Sequence, residues 1–340
     1  MKQIALSDLD QMFAAIAKEE TVYLPVAQED GASAFEPWSE GRHYNPVLNT
    51  VRSAKDFFFP QVEDMMAFRL QDQNIDIMDT RKSCEDYVIF GVRACDVRSF
   101  DILDNVYLSD PVDTYYKNRR DHGTVVSIAC SRPAETCFCG TFGIDASNAG
   151  GDVQGWIAEE KLWMEPLTEK GEAFLEKIDE LTSEADPAPA ETEKEKIRTI
   201  LDQLPLKDVK VPEKMRSDSL GVFSDPKWAE LSEACMGCGT CTFVCPTCQC
   251  FDIRDFNTGH GVERYRCWDS CMYSEFTQEA AGNPRTTQLQ RFRQRFMHKL
   301  SYYPDKYDGV YSCVGCGRCL KKCPQSLNIV KVMNAFGGEE

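Results

Sequence analysis

The sequence lacks any long hydrophobic run. No segment approaches the roughly 18–20 apolar residues that a membrane-spanning helix requires, which argues against membrane insertion. The first twenty residues, MKQIALSDLDQMFAAIAKEE, are interrupted by acidic residues and are followed by no small-residue cleavage site, so they do not resemble a signal peptide. We therefore expect a cytoplasmic protein.

Positive charge is also scarce. The chain has 38 Lys and Arg residues against 55 Asp and Glu residues, and its net charge is −17. An acidic protein repels phosphate backbones and anionic lipid surfaces, so we expect neither nucleic acid nor a membrane surface as a partner.

Several common catalytic and nucleotide-binding patterns are missing. The four histidines, His43, His122, His260 and His298, include no H-E-x-x-H pair, and each is expected to be a surface or packing residue. The chain has neither a G-x-G-x-x-G dinucleotide fingerprint nor a P-loop. We therefore expect this chain itself to bind no flavin or nicotinamide.

Cysteine, in contrast, is abundant. The 340 residues include seventeen cysteines, and twelve of them lie in residues 227–340. A chain without an export signal is expected in a reducing compartment, where disulfides are rare. Such a density therefore indicates metal ligation or redox chemistry.

The pattern of apolar segments predicts an N-terminal α/β domain over residues 1–180. The runs Thr21–Val26, Tyr87–Val92 and Thr124–Ala129 are typical of buried strands. The segment Asp96–Leu108 between the last two has helical periodicity, and we expect Asp96 to cap its N-terminus. A strand, helix and strand of these lengths predict a right-handed crossover between parallel strands.

The first helix is expected near the N-terminus. Ser7 is its candidate N-cap, with Asp10 in the position of a weak capping box. The residues Leu9, Met12, Phe13 and Ile16 follow the i, i+3, i+4, i+7 spacing of a packed helix face.

Two further segments complete the expected organisation. Residues 181–226 are expected to be a charged connection rich in Pro and Ala, and residues 184–196 within it to be solvated. Residues 227–340 are expected to form a mostly helical domain resembling a two-cluster ferredoxin. The full expectation is thus an α/β domain followed by this helical domain.

One cysteine motif occurs twice in the C-terminal region. The sequence Cys235-Met-Gly-Cys-Gly-Thr-Cys-Thr-Phe-Val-Cys-Pro246 has the same spacing as Cys313-Val-Gly-Cys-Gly-Arg-Cys-Leu-Lys-Lys-Cys-Pro324. Three cysteines on such a loop can hold three corners of a 4Fe–4S cluster, and the glycines between them favour the positive φ of a tight loop. In two-cluster ferredoxins the fourth cysteine of each motif ligates the other cluster.

This crossed pattern predicts two ligand sets. The first 4Fe–4S cluster takes Cys235, Cys238, Cys241 and Cys323, and the second takes Cys313, Cys316, Cys319 and Cys245. The alternative is structural zinc, which usually binds two CxxC knuckles and does not require this spacing.

A third group of cysteines lies in the N-terminal domain. Cys95 and Cys130 each follow a predicted strand, and Cys137 and Cys139 lie on the loop beyond. Parallel neighbouring strands would bring these thiols to one carboxyl edge of the sheet, where ligands commonly bind. The group Cys95, Cys130, Cys137 and Cys139 therefore predicts a third 4Fe–4S site. The alternative is that they are buried, reduced packing residues.

The remaining cysteines are less informative. Cys248, Cys250, Cys267 and Cys271 lie between the two motif copies. They could hold another cluster, lend a ligand to the N-terminal site or pack as small apolar residues; of these we rank Cys248, Cys250 and Cys271 as candidate ligands. Cys84 has no neighbouring cysteine and is expected to be inert.

A basic segment, Pro284–Lys299, stands out in the acidic chain. Leu289, Phe292 and Phe296 form an apolar stripe, and Arg291 and Arg295 are one helical turn apart. One interpretation places this charge beside the clusters, where it would compensate their negative charge and raise their potential. The other is a helix with a buried stripe and a solvated face.

Several segments together resemble a known family. These are Gly91-Val-Arg-Ala-Cys-Asp96, Ala129-Cys-Ser-Arg-Pro-Ala-Glu-Thr-Cys-Phe-Cys-Gly140, Cys245-Pro-Thr-Cys-Gln-Cys-Phe-Asp-Ile253 and Trp268-Asp-Ser-Cys271. They are similar to the beta subunits of sulfhydrogenase-type (cytosolic nickel–iron) hydrogenases and to the iron–sulfur subunits of anaerobic sulfite reductases. The resemblance spans about residues 85–335 and does not separate the two complexes.

The resemblance implies an electron-transfer subunit of a cytosolic complex. Its implied partners are a flavoprotein subunit that handles NAD(P)H and a catalytic subunit of hydrogenase or sulfite reductase type. Two alternatives remain: a self-contained redox enzyme with flavin or substrate in an N-terminal crevice beside Cys95 and Cys137, and a scaffold with redox-silent clusters.

Overall fold

The computed structural model describes residues 1–46, 49–71 and 74–337, apart from the side chain of Gln71. The strands are β1 Lys2–Ala5, β2 Thr21–Ala27, β3 Ser33–Pro37, β4 Val62–Gln71, β5 Asn74–Asp79, β6 Tyr87–Val92, β7 Gly123–Ile128, β8 Val153–Ala158, β9 Lys161–Pro166, β10 Ser183–Glu184, β11 Phe251–Asn257 and β12 Gly261–Trp268.

The helices alternate with these strands in the first half and dominate the second. They are α1 Leu9–Ile16, α2 Ala94–Tyr107, α3 Thr114–His122, α4 Glu169–Lys177, α5 Ala188–Leu201, α6 Lys214–Ser217, α7 Ser219–Ser224, α8 Lys227–Ser232, α9 Thr240–Phe243, α10 Gln288–Met297, α11 Tyr303–Lys306, α12 Arg318–Lys322 and α13 Ile329–Gly337. A π-helical turn, His298–Tyr302, joins α10 to α11.

An eight-stranded sheet forms the N-terminal part, in the order β10-β1-β9-β8-β7-β6-β2-β3. Its centre is parallel, since β2, β6, β7 and β8 pair in that sense. All six residues of β6 are buried, as expected for a parallel strand covered on both faces. The three predicted strands and the β6–α2–β7 crossover are confirmed.

Alternation along the central strands divides the core between the two sheet faces. On one face α1 packs its predicted stripe against β6, with the rings of Phe13 and Phe90 4.9 Å apart between centroids. On the other face Phe100 and Leu103 of α2 pack against Ile89. The carboxyl ends of β6 and β7 are left at the edge where Cys95 and Cys130 follow.

Two predicted helix caps are wrong. Helix α1 begins at Leu9 after a 3₁₀ turn, so Asp8 occupies its N-cap, and the Ser7 hydroxyl donates to the Asp8 carboxylate instead. Helix α2 begins at Ala94, which places Asp96 inside the first turn. There its carboxylate binds a buried arginine from the C-terminal region rather than the helix end.

The segment 184–196 differs from the expected solvated connection. Most of it belongs to α5, whose residues Ala190 and Ile197 are buried against Trp156 of β8. Charged residues fill the other positions of this helix, so its composition hides a narrow apolar stripe. The segment is therefore part of the layer that covers the sheet.

The C-terminal region contains strands as well as helices. The hairpin β11–β12 pairs with β4 and β5 of the N-terminal half in a four-stranded antiparallel sheet, in the order β11-β12-β4-β5. The two halves of the chain thus share a sheet, which the expectation of a mostly helical C-terminal domain did not include. Among the described residues, no helix is long and apolar enough to cross a membrane.

Candidate iron–sulfur sites

Both copies of the repeated motif form a tight loop that leads into a short helix. The glycines between the cysteines have positive φ: +67° at Gly237, +71° at Gly239, +59° at Gly315 and +71° at Gly317. Gly239 and Gly317 are the N-caps of α9 and α12, respectively. The predicted need for glycine at these positions is confirmed, because L side chains are disfavoured there.

The first predicted ligand set lies around one cavity. Cys235, Cys238 and Cys241 come from the first loop, and Cys323 reaches the same cavity from the end of the second motif. The Gln288 side-chain amide donates to the Cys235 sulfur at 3.3 Å, and the backbone N–H of Leu327 donates to the Cys323 sulfur at 3.2 Å. Donors aimed at sulfur stabilise the thiolate form that binds iron.

The second predicted set is grouped in the same crossed way. Cys245 from the end of the first motif is close enough to Cys313, Cys316 and Cys319 to influence the ionisation of each thiol. Burial raises the pKa of Cys316 to about 11 and raises that of Cys313 further. Protonated thiols would therefore prevail here at neutral pH unless a positive charge or a metal stabilised the thiolates.

Buried cations supply part of that stabilisation. Arg295 is 3% exposed, its nearest charged neighbours are Cys241 and Cys319, and its Nε has no hydrogen-bond partner among the described residues. Lys299 is 4% exposed and close to Cys245, whose thiolate helps to raise the lysine pKa against the opposing effect of burial. A buried cation needs an anion nearby. The donor set therefore fits two 4Fe–4S clusters, each bringing net negative charge.

The basic segment behaves as the first of its two interpretations predicts for Arg295. It forms α10, which begins with a capping box between Thr287 and Gln290 and buries Phe292 and Phe296. Arg291, one turn earlier, donates instead to the Arg285 carbonyl oxygen at 2.9 Å. Of the predicted arginine pair, Arg295 therefore faces the cysteines and Arg291 does not.

The N-terminal cysteine loop docks onto the second ferredoxin loop. The backbone N–H of Phe138 donates to the Gly315 carbonyl oxygen at 2.8 Å, and the Cys137 thiol donates to the Cys316 carbonyl oxygen at 3.8 Å. A Cβ at Gly315 would lie 2.4 Å from the carbonyl oxygen of Phe138. The third predicted group is thus held directly beside the second.

Within that third group, three cysteines are close together and one is set apart. Cys130 influences the ionisation of both Cys137 and Cys139. Cys95 packs instead with Cys316 and Ile102 in another apolar cluster. Burial raises the pKa of Cys137 to about 11 and that of Cys139 to about 12.

Arg93 is the buried cation at this third group. It is 3% exposed and lies near Cys95 and Cys137, and two of its guanidinium nitrogens, Nε and Nη2, have no hydrogen-bond partner in the described part of the chain. Each of the three predicted cysteine groups therefore has a buried cation beside it. Sequence reasoning missed Arg93 and Lys299, since nothing in their local pattern shows that they are buried.

A buried ion pair joins the two halves of the chain next to these sites. Arg318, between the last two loop cysteines of the second motif, donates to the two carboxylate oxygens of Asp96 at 2.6 and 2.8 Å. Its Nε also donates to the carbonyl oxygen of Thr50 at 2.9 Å. The position of Arg318 inside the motif was the available sequence signal, but its partner lies 222 residues away.

The cysteines between the motif copies also come together. The Cys248 thiol donates to the Cys245 sulfur, and the Cys271 thiol donates to the Cys250 sulfur. This hydrogen bond lowers the pKa of Cys250 to about 7. Cys267 lies apart from them, near Arg254 and Asp252. Among the described residues, no three His, Cys, Asp or Glu side chains converge tightly enough to hold a single metal ion.

The tight contact at the second loop gives a test of its packing. We expect Gly317→Ala to destabilise the protein strongly, because the added Cβ would lie 2.4 Å from the Thr136 carbonyl oxygen in a backbone with φ of +71°. Gly143→Ala is the matched control, since its φ is +70° and no atom of the described residues lies within 4 Å of the added carbon. The control should cost about 1–3 kcal/mol for the backbone alone. Equal unfolding temperatures for the two variants would contradict the contact.

The fold and these sites define a class: an iron–sulfur protein with a two-cluster ferredoxin region attached to an α/β domain. Residues 234–327 match the 4Fe-4S dicluster domain family. The chain is 33% identical over 298 residues to Sulfhydrogenase 2 subunit beta of Pyrococcus furiosus, covering 84% of this chain and 83% of that subunit. No solved structure gives a significant match. The chain belongs to the family of iron–sulfur beta subunits that includes this relative.

Proposed function

We propose that this chain is the electron-relay subunit of a multisubunit oxidoreductase. Its family and its dicluster domain support an iron–sulfur electron-transfer subunit. The observation that carries the proposal is the crossed grouping of the eight motif cysteines, in which Cys323 joins the first loop and Cys245 joins the second. Bound there, 4Fe–4S clusters would supply one-electron transfer.

The protein's own residues would hold and tune these clusters. The two loops provide the thiolates, and Arg295 and Lys299 provide positive charge inside a buried environment. Positive charge close to a cluster favours its reduced form and raises its potential. The N-terminal group of Cys95, Cys130, Cys137 and Cys139, with Arg93, is proposed as a third site that extends the relay.

The partners follow from the resemblance and are part of the proposal. One would be a flavoprotein subunit that handles NAD(P)H, and the other a catalytic subunit of hydrogenase or sulfite reductase type. The relative is named as a sulfhydrogenase subunit, which favours the hydrogenase type. We propose a cytoplasmic complex.

The rival function, a self-contained enzyme, has a weaker basis in the geometry. A cavity of about 590 Å³ lies at the amino ends of β2 and β6, where Thr21, Asp86 and Cys84 are among its lining residues. Cys95 and Cys130 lie at the opposite, carboxyl ends of β6 and β7. The cavity is therefore not beside the cysteines that the rival function would use.

Anaerobic purification tests the proposal. We expect about eight iron atoms per chain from the two motif sites and about twelve if the N-terminal site is also filled. Reduction by dithionite should give low-temperature EPR signals with magnetic coupling between neighbouring clusters. An EPR-silent reduced protein would contradict the relay. Flavin in the isolated chain, or turnover of a two-electron substrate by it alone, would favour the enzyme.

The role of Lys299 gives a separate prediction. We expect Lys299→Met to lower the potential of the second ferredoxin-type cluster by on the order of 60 mV, which corresponds to about 1.4 kcal/mol for one electron. The lost charge would no longer favour the reduced state. An EPR-monitored redox titration measures the shift, and Lys306→Met, an exposed lysine nearby, is the control. Equal potentials in both variants would show that Lys299 does not tune the site.

A further inference from the structure

Three cysteines outside the repeated motifs are brought together by the β11–β12 hairpin. Cys248 and Cys250 lie on the loop before β11, and Cys271 lies three residues after β12 ends. The hairpin pairs Phe251 with Trp268, so its two ends are adjacent. The backbone N–H of Asp269 donates to the Cys250 carbonyl oxygen at 2.9 Å and holds the two loops together.

The three sulfurs form one group within this closed end. The Cys271 thiol donates to the Cys250 sulfur, and the proximity of Cys248 raises the pKa of Cys271. Cys248 in turn contacts Cys245, which is grouped with Cys313, Cys316 and Cys319. The group is therefore buried beside the second ferredoxin-type site but has its own three sulfurs.

An independent observation points to an anion at this group. Lys55, from a distant part of the sequence, is 1% exposed, and its Nζ donates to the Cys248 carbonyl oxygen at 2.8 Å. The same Nζ lies 3.9 Å from the centroid of the Trp268 ring. Among the described residues, no carboxylate forms an ion pair with Lys55 or Lys299, and Cys245 and Cys248 are charged neighbours of both.

Two buried cations beside neutral thiols would be costly. Desolvating an unpaired cation costs several kcal/mol in a protein interior, and a nearby anion offsets that cost. Thiolates bound to iron would supply the missing negative charge. Cys245 is already used by the second ferredoxin-type set, so one thiolate of that set does not account for both lysines.

We propose that Cys248, Cys250 and Cys271 hold an additional iron–sulfur cluster, with Lys55 and Lys299 as its buried counter-charges. Three protein thiolates leave the fourth corner to a ligand that is not cysteine. This inference rests on the proposed relay function and adds to it a cluster next to the second ferredoxin-type site. It is independent of the N-terminal group, which lies on the opposite side of the second loop.

Iron analysis of matched cysteine variants tests the site. We expect Cys271→Ser to lose about four iron atoms relative to the wild type while it retains the coupled EPR signals of the two ferredoxin-type clusters. Cys267→Ser is the control, because this thiol is only four residues away but lies outside the group. Wild-type iron content in Cys271→Ser would overturn the proposal. Loss of the coupled signals in the wild type would instead contradict the relay itself.

Differential alkylation of the wild-type protein covers the case in which Cys271→Ser fails to fold. Cys248, Cys250 and Cys271 should resist iodoacetamide in the iron-loaded protein and become labelled together once a chelator removes the iron. Cys267 should be labelled at the same rate in both states. Labelling of the three before iron removal, or no labelling after it, would show that they are packing residues and would overturn the proposal.

Discussion

Cys241→Ala is expected to lose about four iron atoms per chain and to destabilise the C-terminal region strongly. Cys241 is one of the three loop cysteines around the cavity that also receives Cys323. A missing corner leaves the cluster with three thiolates and leaves Arg295, whose nearest charged neighbour is Cys241, without part of its compensation. Because metal binding is coupled to folding, losing the cluster also removes its contribution to stability. Iron analysis and thermal unfolding, both anaerobic, measure the two effects.

Cys84→Ala is the control for this prediction. Cys84 is partly exposed, lies at the edge of a cavity far from the other thiols, and its hydrogen bond goes to the neighbouring Glu85 carbonyl oxygen at 3.9 Å. Its replacement should leave iron content and unfolding temperature unchanged. Iron loss in Cys84→Ala would mean that the ligands of the N-terminal domain are assigned incorrectly.

The sequence was sufficient for the central strands and for the paired motif. Buried parallel strands such as β6 are nearly continuous apolar runs, so they are visible without any knowledge of their partners. The spacing of the motif reflects the size of a cluster, and its glycines reflect positive φ in the loops. Both signals are local, which is why short segments such as Cys235–Pro246 could be interpreted by themselves.

The features that could not be predicted depend on distant contacts. Asp96 has a sequence pattern typical of a helix cap, but its carboxylate is used by Arg318 from the second motif. Lys55 has no pattern at all, and only the fold places it against Cys248. The helix α5 was hidden because its apolar positions are few. Long-range pairing and burial therefore decide the electrostatics around the cysteines.

The Asp96–Arg318 pair leads to the second large expected effect. We expect Asp96→Ala to lower the free energy of unfolding by about 3–5 kcal/mol, because it leaves a buried arginine without its carboxylate. Both side chains are nearly inaccessible, at 1% and 3% exposure. The pair also connects α2 to the second ferredoxin loop, so its loss should loosen the contact between the two halves. Anaerobic denaturant unfolding, followed by tryptophan fluorescence and cluster absorbance, measures the change.

The same helix provides the control. Asp101→Ala removes a carboxylate 3.2 Å from Arg98, but this pair is solvent-exposed and should contribute only about 0–1 kcal/mol. The double variant Asp96→Leu with Arg318→Met should recover part of the lost stability, since it removes both charges instead of stranding one. Equal stability losses in Asp96→Ala and Asp101→Ala would mean that the buried pair does not hold the α/β domain to the ferredoxin region. Recovery in the double variant would show that the stranded charge, and not the lost volume, causes the effect.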